Sequence, residues 1–166
     1  MQFPEWGSGI GKHILRLKDG DSIQGVFRGE ITRFYQHWKS GRSIICPGRD
    51  TCDLCQSENE DDRRANGRFR INFLIYVDGQ WGAKVFEGGK RVFEQLKALN
   101  QDCPLEKMRV RISKSGEGKN SQIVISPVPG EAGLIKPAVE KELQSVELID
   151  LAMGEQEEKE LEEAPF

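Results

Sequence analysis

Histidine and tyrosine are scarce in this 166-residue chain, with two of each. So few imidazoles leave little for general acid–base work at neutral pH, and no poised carboxylate pair or activated nucleophile stands in for them. Long apolar runs are missing too, none approaching the roughly eighteen residues that read as a membrane span. The opening Met-Gln-Phe-Pro-Glu-Trp has no basic segment leading into an apolar stretch, so the expectation is a soluble, cytoplasmic chain. Cysteine is sparse and uneven: of four, Cys46, Cys52 and Cys55 fall together, leaving Cys103 apart. That clustering argues against a secreted disulfide framework and for thiolates around a metal. The length allows one ordinary domain with appendages.

The formal net charge of −3 hides an asymmetry. Residues 1–130 carry 21 Lys+Arg against 16 Asp+Glu, whereas residues 131–166 carry 3 against 11. A mildly basic body with an acidic extension fits a binding surface that its own tail can shield. Between Glu155 and Phe166 there are six glutamates and one lysine, followed by Ala-Pro-Phe. Such a run repels itself and has little to bury, so residues 154–166 are expected to be a disordered tail, with Phe166 suited to an apolar pocket on a partner.

Alternation of apolar and polar residues predicts strands at about 13–18, 22–28 and 30–37. Residues 37–67 then break the pattern with Gly41, Pro47, Gly48, the cysteines and a charged run. The clearest strand is Arg68 to Val77, with Phe69, Ile71, Phe73, Ile75 and Val77 on one face and Arg68, Arg70, Asn72 and Tyr76 on the other. Asp78-Gly79 predicts a hairpin turn, and Gly88-Gly89 leads into a helix that carries Val92, Phe93, Leu96 and Leu99 on one side. Two more strands follow, around Met108 to Ile112 and Ile123 to Ile125. This order, five strands with one helix before the last pair, predicts an OB-fold, a partly open barrel spanning residues 1–130. Pro127, Pro129 and Gly130 mark its end, and residues 131–153 read as a linker with room for a short helix.

His37, Cys46, Cys52 and Cys55 form the metal constellation. Two thiolates separated by two residues can wrap one tetrahedral ion, and a Cys3His set is closed, so zinc in a structural role is expected. His13 is the reserve ligand. A thiol oxidoreductase would place its Cys-x2-Cys pair at a helix start after a buried parallel strand. A zinc deaminase would need a glutamate two residues after the histidine, where this chain has Lys39.

Several rings lie beside cations, the combination that stacks bases and follows phosphates without reading sequence. On that basis single-stranded DNA is the expected partner. The candidate contacts are Arg33, Tyr35, Trp38, Lys39, Arg68, Arg70, Tyr76, Trp81, Lys84 and Phe86, joined by Arg109, Arg111, Lys114 and Lys119 around the last two strands and their glycine-rich loop.

Taken together, His37, the three cysteines, the hairpin and helix from Arg68 to Asn100, and Ser113-Lys-Ser-Gly-Glu-Gly-Lys119 leading to Ile123-Val-Ile-Ser-Pro127 resemble the bacteriophage single-stranded DNA-binding proteins typified by the helix-destabilising protein of T4-like phages. The resemblance implies an OB-fold with a zinc insertion after the first long strand and a role in DNA replication, recombination and repair. It also implies an acidic tail that recruits other replication proteins. Glu-Glu-Ala-Pro-Phe is similar to the tail tip of bacterial single-stranded DNA-binding proteins, which implies that Pro165 and Phe166 dock partners. The rival expectation is a zinc-stapled protein-interaction or transcription-regulating module that binds no single strand.

Overall fold

The structure, a computed structural model, describes residues 13–151. Its spine is β1 (Ser22–Lys39), an 18-residue strand. The expected break at Gly29 is a bulge within this one strand: Arg28 faces Asn72 but Thr32 faces Arg70, so β1 places three residues where its partner has one. Gly29 sits there at φ 80°, a conformation glycine adopts without strain, and extra residues of this kind bend and twist a strand. The bend lets β1 serve two surfaces. Its first residues pair with β5 (Val110–Ser115), and its remainder pairs with β3 (Ala65–Val77) and then with β2 (Arg42–Ile45).

Two tight turns fix the hairpins. Ser40 and Gly41 join β1 to β2, and Asp78 and Gly79 join β3 to β4 (Gln80–Gly89), all four with positive φ. That is the twist-matched two-residue turn favoured between antiparallel strands. With β6 (Gln122–Pro127), the six strands form one antiparallel sheet in the order β4-β3-β1-β5-β6, β2 lying beside the far half of β1. The helices are α1 (Glu60–Arg63), α2 (Lys90–Asp102) and α3 (Pro137–Gln144). Residues 13–18, expected as a strand, contribute only a single parallel pairing of Ile14 with Val85 on the free edge of β4, where the Leu15 amide donates to the Val85 carbonyl at 2.8 Å. None of these helices is long and apolar enough to cross a membrane.

Phe27, Phe69, Ile71, Phe73, Phe86, Leu96, Val110, Ile112 and Ile125 build the main core inside the curved sheet, with α2 across its opening. Gly25 marks a close approach, since a Cβ there would overlap the Leu74 carbonyl and the Phe73 ring. Val77, expected on the inward face, lies beyond the core and is half exposed.

The opposite face of β3 and β4 is covered as well. Beyond Gly130 the chain turns back, and α3 lays Leu143 on Val26 and Leu74, with Val139 and Val146 alongside. Arg28 clasps Glu140 through both guanidinium nitrogens, at 3.0 and 2.6 Å. Farther on, Ile149 is held by Asn72, and Leu151 packs on Val85 beside Ile14. Burying one leucine contributes roughly 1.5–3 kcal/mol, so Leu143 and Leu151 anchor this segment at both ends.

Candidate metal centre and the basic surface around it

Between Cys46 and Arg64 only Cys52 is buried. A stretch of that length without apolar packing needs another source of order, and the four sulfur and nitrogen groups supply it. One ligand atom from each of His37, Cys46, Cys52 and Cys55 lies within 4.8 Å of the others. His37 Nε2 is 3.4 Å from Cys52 Sγ and 3.3 Å from Cys55 Sγ, and Cys46 Sγ is 3.5 Å from Cys55 Sγ. Ligands around one tetrahedral ion stand about 3.5–3.8 Å apart, so the set suits a single metal ion once the short contacts open and the longest closes. His37, rather than His13, completes it.

Local structure prepares each ligand. β1 carries His37 into a fully buried position, where Nδ1 lies 3.0 Å from the Arg64 carbonyl. Donation to that oxygen sets the tautomer and leaves Nε2 free to ligate. The Cys46 amide donates to the Tyr35 carbonyl at 2.7 Å, and the Thr51 and Cys52 amides both donate to Gly48, turning the loop back over the histidine. Lys39 pairs with Asp62 at 3.0 Å, and Arg63 donates to the Ser57 carbonyl. Burial opposes ionisation of Cys52, but hydrogen bonds from the Cys55 amide, the Cys46 and Cys55 thiols and the Leu54 amide outweigh it and hold this thiol below its ordinary value. Burial, then the Cys46 and Cys52 thiols, pushes Cys55 up to about 11. A bound cation favours thiolates throughout. Four protein ligands leave no position for a water nucleophile, so the site is suited to stapling rather than catalysis.

The cations and rings separate into several groups. Arg33 is exposed, and Tyr35 and Trp38 are each 63% exposed on the arm made by β1 and β2. A groove of about 530 Å³ starts at this arm, where Gln36 and Ser43 line it. It crosses Arg68 and ends at Lys114 and the β5–β6 loop, with Arg16 on its wall. A second cavity, of about 640 Å³, lies on the other side of Arg68 and Gly89 and holds Arg33, Tyr35 and Lys90. Lys119 is exposed in the β5–β6 loop, and Arg111 is exposed near the start of β5.

Other candidates are placed differently. Arg70 is 2% exposed, bonded through Nε to Glu87 at 2.9 Å and stacked 4.7 Å over the Phe34 ring. It borders the groove together with Phe86 and the acid Glu87, its side chain held within the protein. Phe86 is 4% exposed and belongs to the main core, so it cannot stack on a base without unfolding β4. Lys84 stands opposite Phe73 and is partly buried on the face away from Trp81. Tyr76 and Trp81 touch at 5.4 Å at the hairpin end, but the indole donates to Glu142 at 3.1 Å and Arg109 lies 5.5 Å from the same ring. This pair is thus joined to the C-terminal segment. Pro165, Phe166 and the acidic tail lie outside the described residues.

Sequence reading missed Arg16, Gln36, Ser43 and Lys90. Arg16 was assigned to a strand, and Gln36 and Ser43 carry no charge. Lys90 had a signal: it directly follows Gly88-Gly89 at a helix start, where acidic residues are the favoured ones. Comparisons with family models, characterised proteins and solved structures find no match to this chain.

Proposed function

We propose that this protein is a non-enzymatic single-stranded DNA-binding protein that holds the strand in the groove around Arg68. The observation that carries this reading is the convergence of Arg16, Arg68 and Lys114 along one groove, with Trp38 exposed opposite Ser43 at its arm end and Tyr35 exposed in the adjoining cavity. Cations follow the phosphates, rings stack on bases of any identity, and neither group selects a sequence. Affinity then falls with salt, with a slope of about −0.7 in log K against log salt for each phosphate neutralised.

The strand order β4-β3-β1-β5-β6, with α2 entering before the last two strands, supports an OB-fold in which the arm and residues 46–64 are an insertion. The groove crosses its open side, a usual place for oligonucleotides on that fold. Three thiolates and one imidazole favour zinc as the metal. His37, Cys46, Cys52 and Cys55 would hold it, and it would staple the arm that presents Arg33, Tyr35 and Trp38. The acidic residues 155–163 with Pro165 and Phe166 recruit other proteins in this reading. With the resemblance to phage proteins, it places the protein in phage DNA replication, recombination and repair within the host cytoplasm.

One observation favours a second reading. The outer face of β3 and β4 is occupied by α3 and the residues after it, which leaves fewer groups for DNA and suits a zinc-stapled protein-interaction module. Fluorescence anisotropy with a labelled oligothymidylate of about 20–30 nucleotides, beside a duplex of equal length and over a salt series, separates the two. Submicromolar single-strand binding with a negative salt slope supports the first reading. Equal or stronger duplex binding, or none, supports the second.

A further inference from the structure

The N-terminal turn of α2 is built against the usual helix rules. Its first turn holds Lys90 and Arg91 and no acidic residue, and its N-cap, Gly89, has no side chain to accept from the free amides. Cations at the positive end of a helix dipole are unfavourable, so two of them at this position call for an anion from elsewhere. Local departures of this kind concentrate at functional sites.

What surrounds Lys90 indicates the anion. The 640 Å³ cavity beside it is lined by Arg33, Tyr35 and Arg68, with Phe69 and Phe93 behind and Glu94 as its one acid. Among the described residues, neither Arg33 nor Lys90 has a carboxylate partner within 4.0 Å, whereas Arg68 shares Glu87 at 3.2 Å. Tyr35 stands opposite Gly67 in the ladder, with no side chain at that position, and it is largely exposed. Two unneutralised cations, a third partly neutralised and an open ring match one nucleotide: phosphate at the cations, base on the ring.

We propose that this cavity is a nucleotide subsite of single-stranded DNA, in which Lys90 and Arg33 hold a phosphate and Tyr35 stacks the adjoining base. It rests on the single-strand reading and extends it. A strand leaving the Arg68 groove passes Gly89 and continues toward the root of the metal arm. The arm thereby presents Tyr35 to the DNA, and order in the Cys loop bears on binding through β1.

The test uses the full chain and an oligothymidylate carrying 5-iodouracil. Irradiation of the wild-type complex is expected to cross-link at Tyr35. Lys90→Gln should reduce the salt slope by about 0.7, the contribution of one phosphate. Tyr35→Ala should weaken binding by about 5- to 150-fold, the loss of one stacked base. Wild-type binding with cross-links mapping elsewhere and both variants unchanged would overturn the subsite and leave the single-strand reading standing. No oligothymidylate binding by the wild type would overturn both. If inorganic phosphate alone produced the Gly89 and Lys90 amide shifts seen with the oligomer, and no cross-link formed at Tyr35, the cavity would be a phosphate site and not a nucleotide one.

Discussion

The side-chain amide of Asn72 bonds both backbone groups of Ile149: Oδ1 accepts from its N–H at 2.8 Å and Nδ2 donates to its carbonyl at 3.0 Å. Asn72 is 3% exposed, so these are its means of satisfaction, and they dock a chain segment 77 residues away onto the middle of the sheet. The C-terminal segment is thus a part of the folded body up to Leu151, and the acidic run follows a few residues after a point beside the groove margin at Ile14.

Replacing Asn72 by alanine leaves both Ile149 groups without that partner. A buried unsatisfied group costs about 1–3 kcal/mol, so Asn72→Ala should destabilise by roughly that amount and raise hydrogen exchange across residues 137–151. Denaturant unfolding and exchange mass spectrometry measure this. Unchanged exchange in that segment would show that Leu143 and Leu151 hold it alone.

Arg70 should behave as a structural residue. Its removal strands Glu87, and breaking a buried ion pair costs about 3–5 kcal/mol. Glu87 is also bonded to Arg68, which places the loss at the lower end. Arg70→Ala is therefore expected to lower the melting temperature markedly. A variant of full stability with weakened DNA binding would reverse the assignment.

The Arg28 hydrogen bonds hold the Glu140 carboxyl below its usual range, against the opposing effect of burial. A lowered folded-state pKa contributes stability above the unfolded value, and that contribution is lost as pH falls through the folded one. Glu140 is 34% exposed, so the effect is screened. Glu140→Gln should cost about 0.5–1 kcal/mol at pH 7 and nothing below both pKa values. Urea unfolding of the pair over a pH series falling from 7 tests it, and a difference that does not shrink as the carboxyl protonates would assign the loss to packing.

Metal removal should act locally first. With only Cys52 buried between residues 46 and 64, the arm loop depends on its ligands, while the main core contains none of them. Chelation, or Cys52→Ser with Cys55→Ser, should increase exchange in residues 40–64 and lower the melting temperature, with smaller changes in β3 and β4. Elemental analysis giving no zinc, together with an unchanged melt, would remove the metal from the account.

The alternation in β3 and the cysteine spacing made the inward core and the metal quartet legible, because both depend on local sequence. The burial of Arg70 and Phe86 was not legible, for a different reason. A period of two divides a strand into faces but does not tell which are covered. Val26, Leu74, Ala83 and Val85 form an apolar stripe on the supposedly open face, and that stripe was the available sign that residues 137–151 return to cover it. In β4, Val85 and Phe86 are both buried on opposite faces, so alternation gives no answer there. The groove was harder still, since Arg16, Arg68 and Lys114 meet only after the sheet has curled.

The most direct test of the single-strand account is an amide chemical-shift map of the full-length protein titrated with an oligothymidylate of about 20 nucleotides. Shifts should gather at Arg16, Arg33 to Ser43, Arg68, Gly88 to Lys90 and Lys114 to Ser121, leaving Tyr76, Trp81 and α3 unmoved. Shifts confined to α3 and the Tyr76–Trp81 hairpin, or none at saturating oligomer, would contradict it.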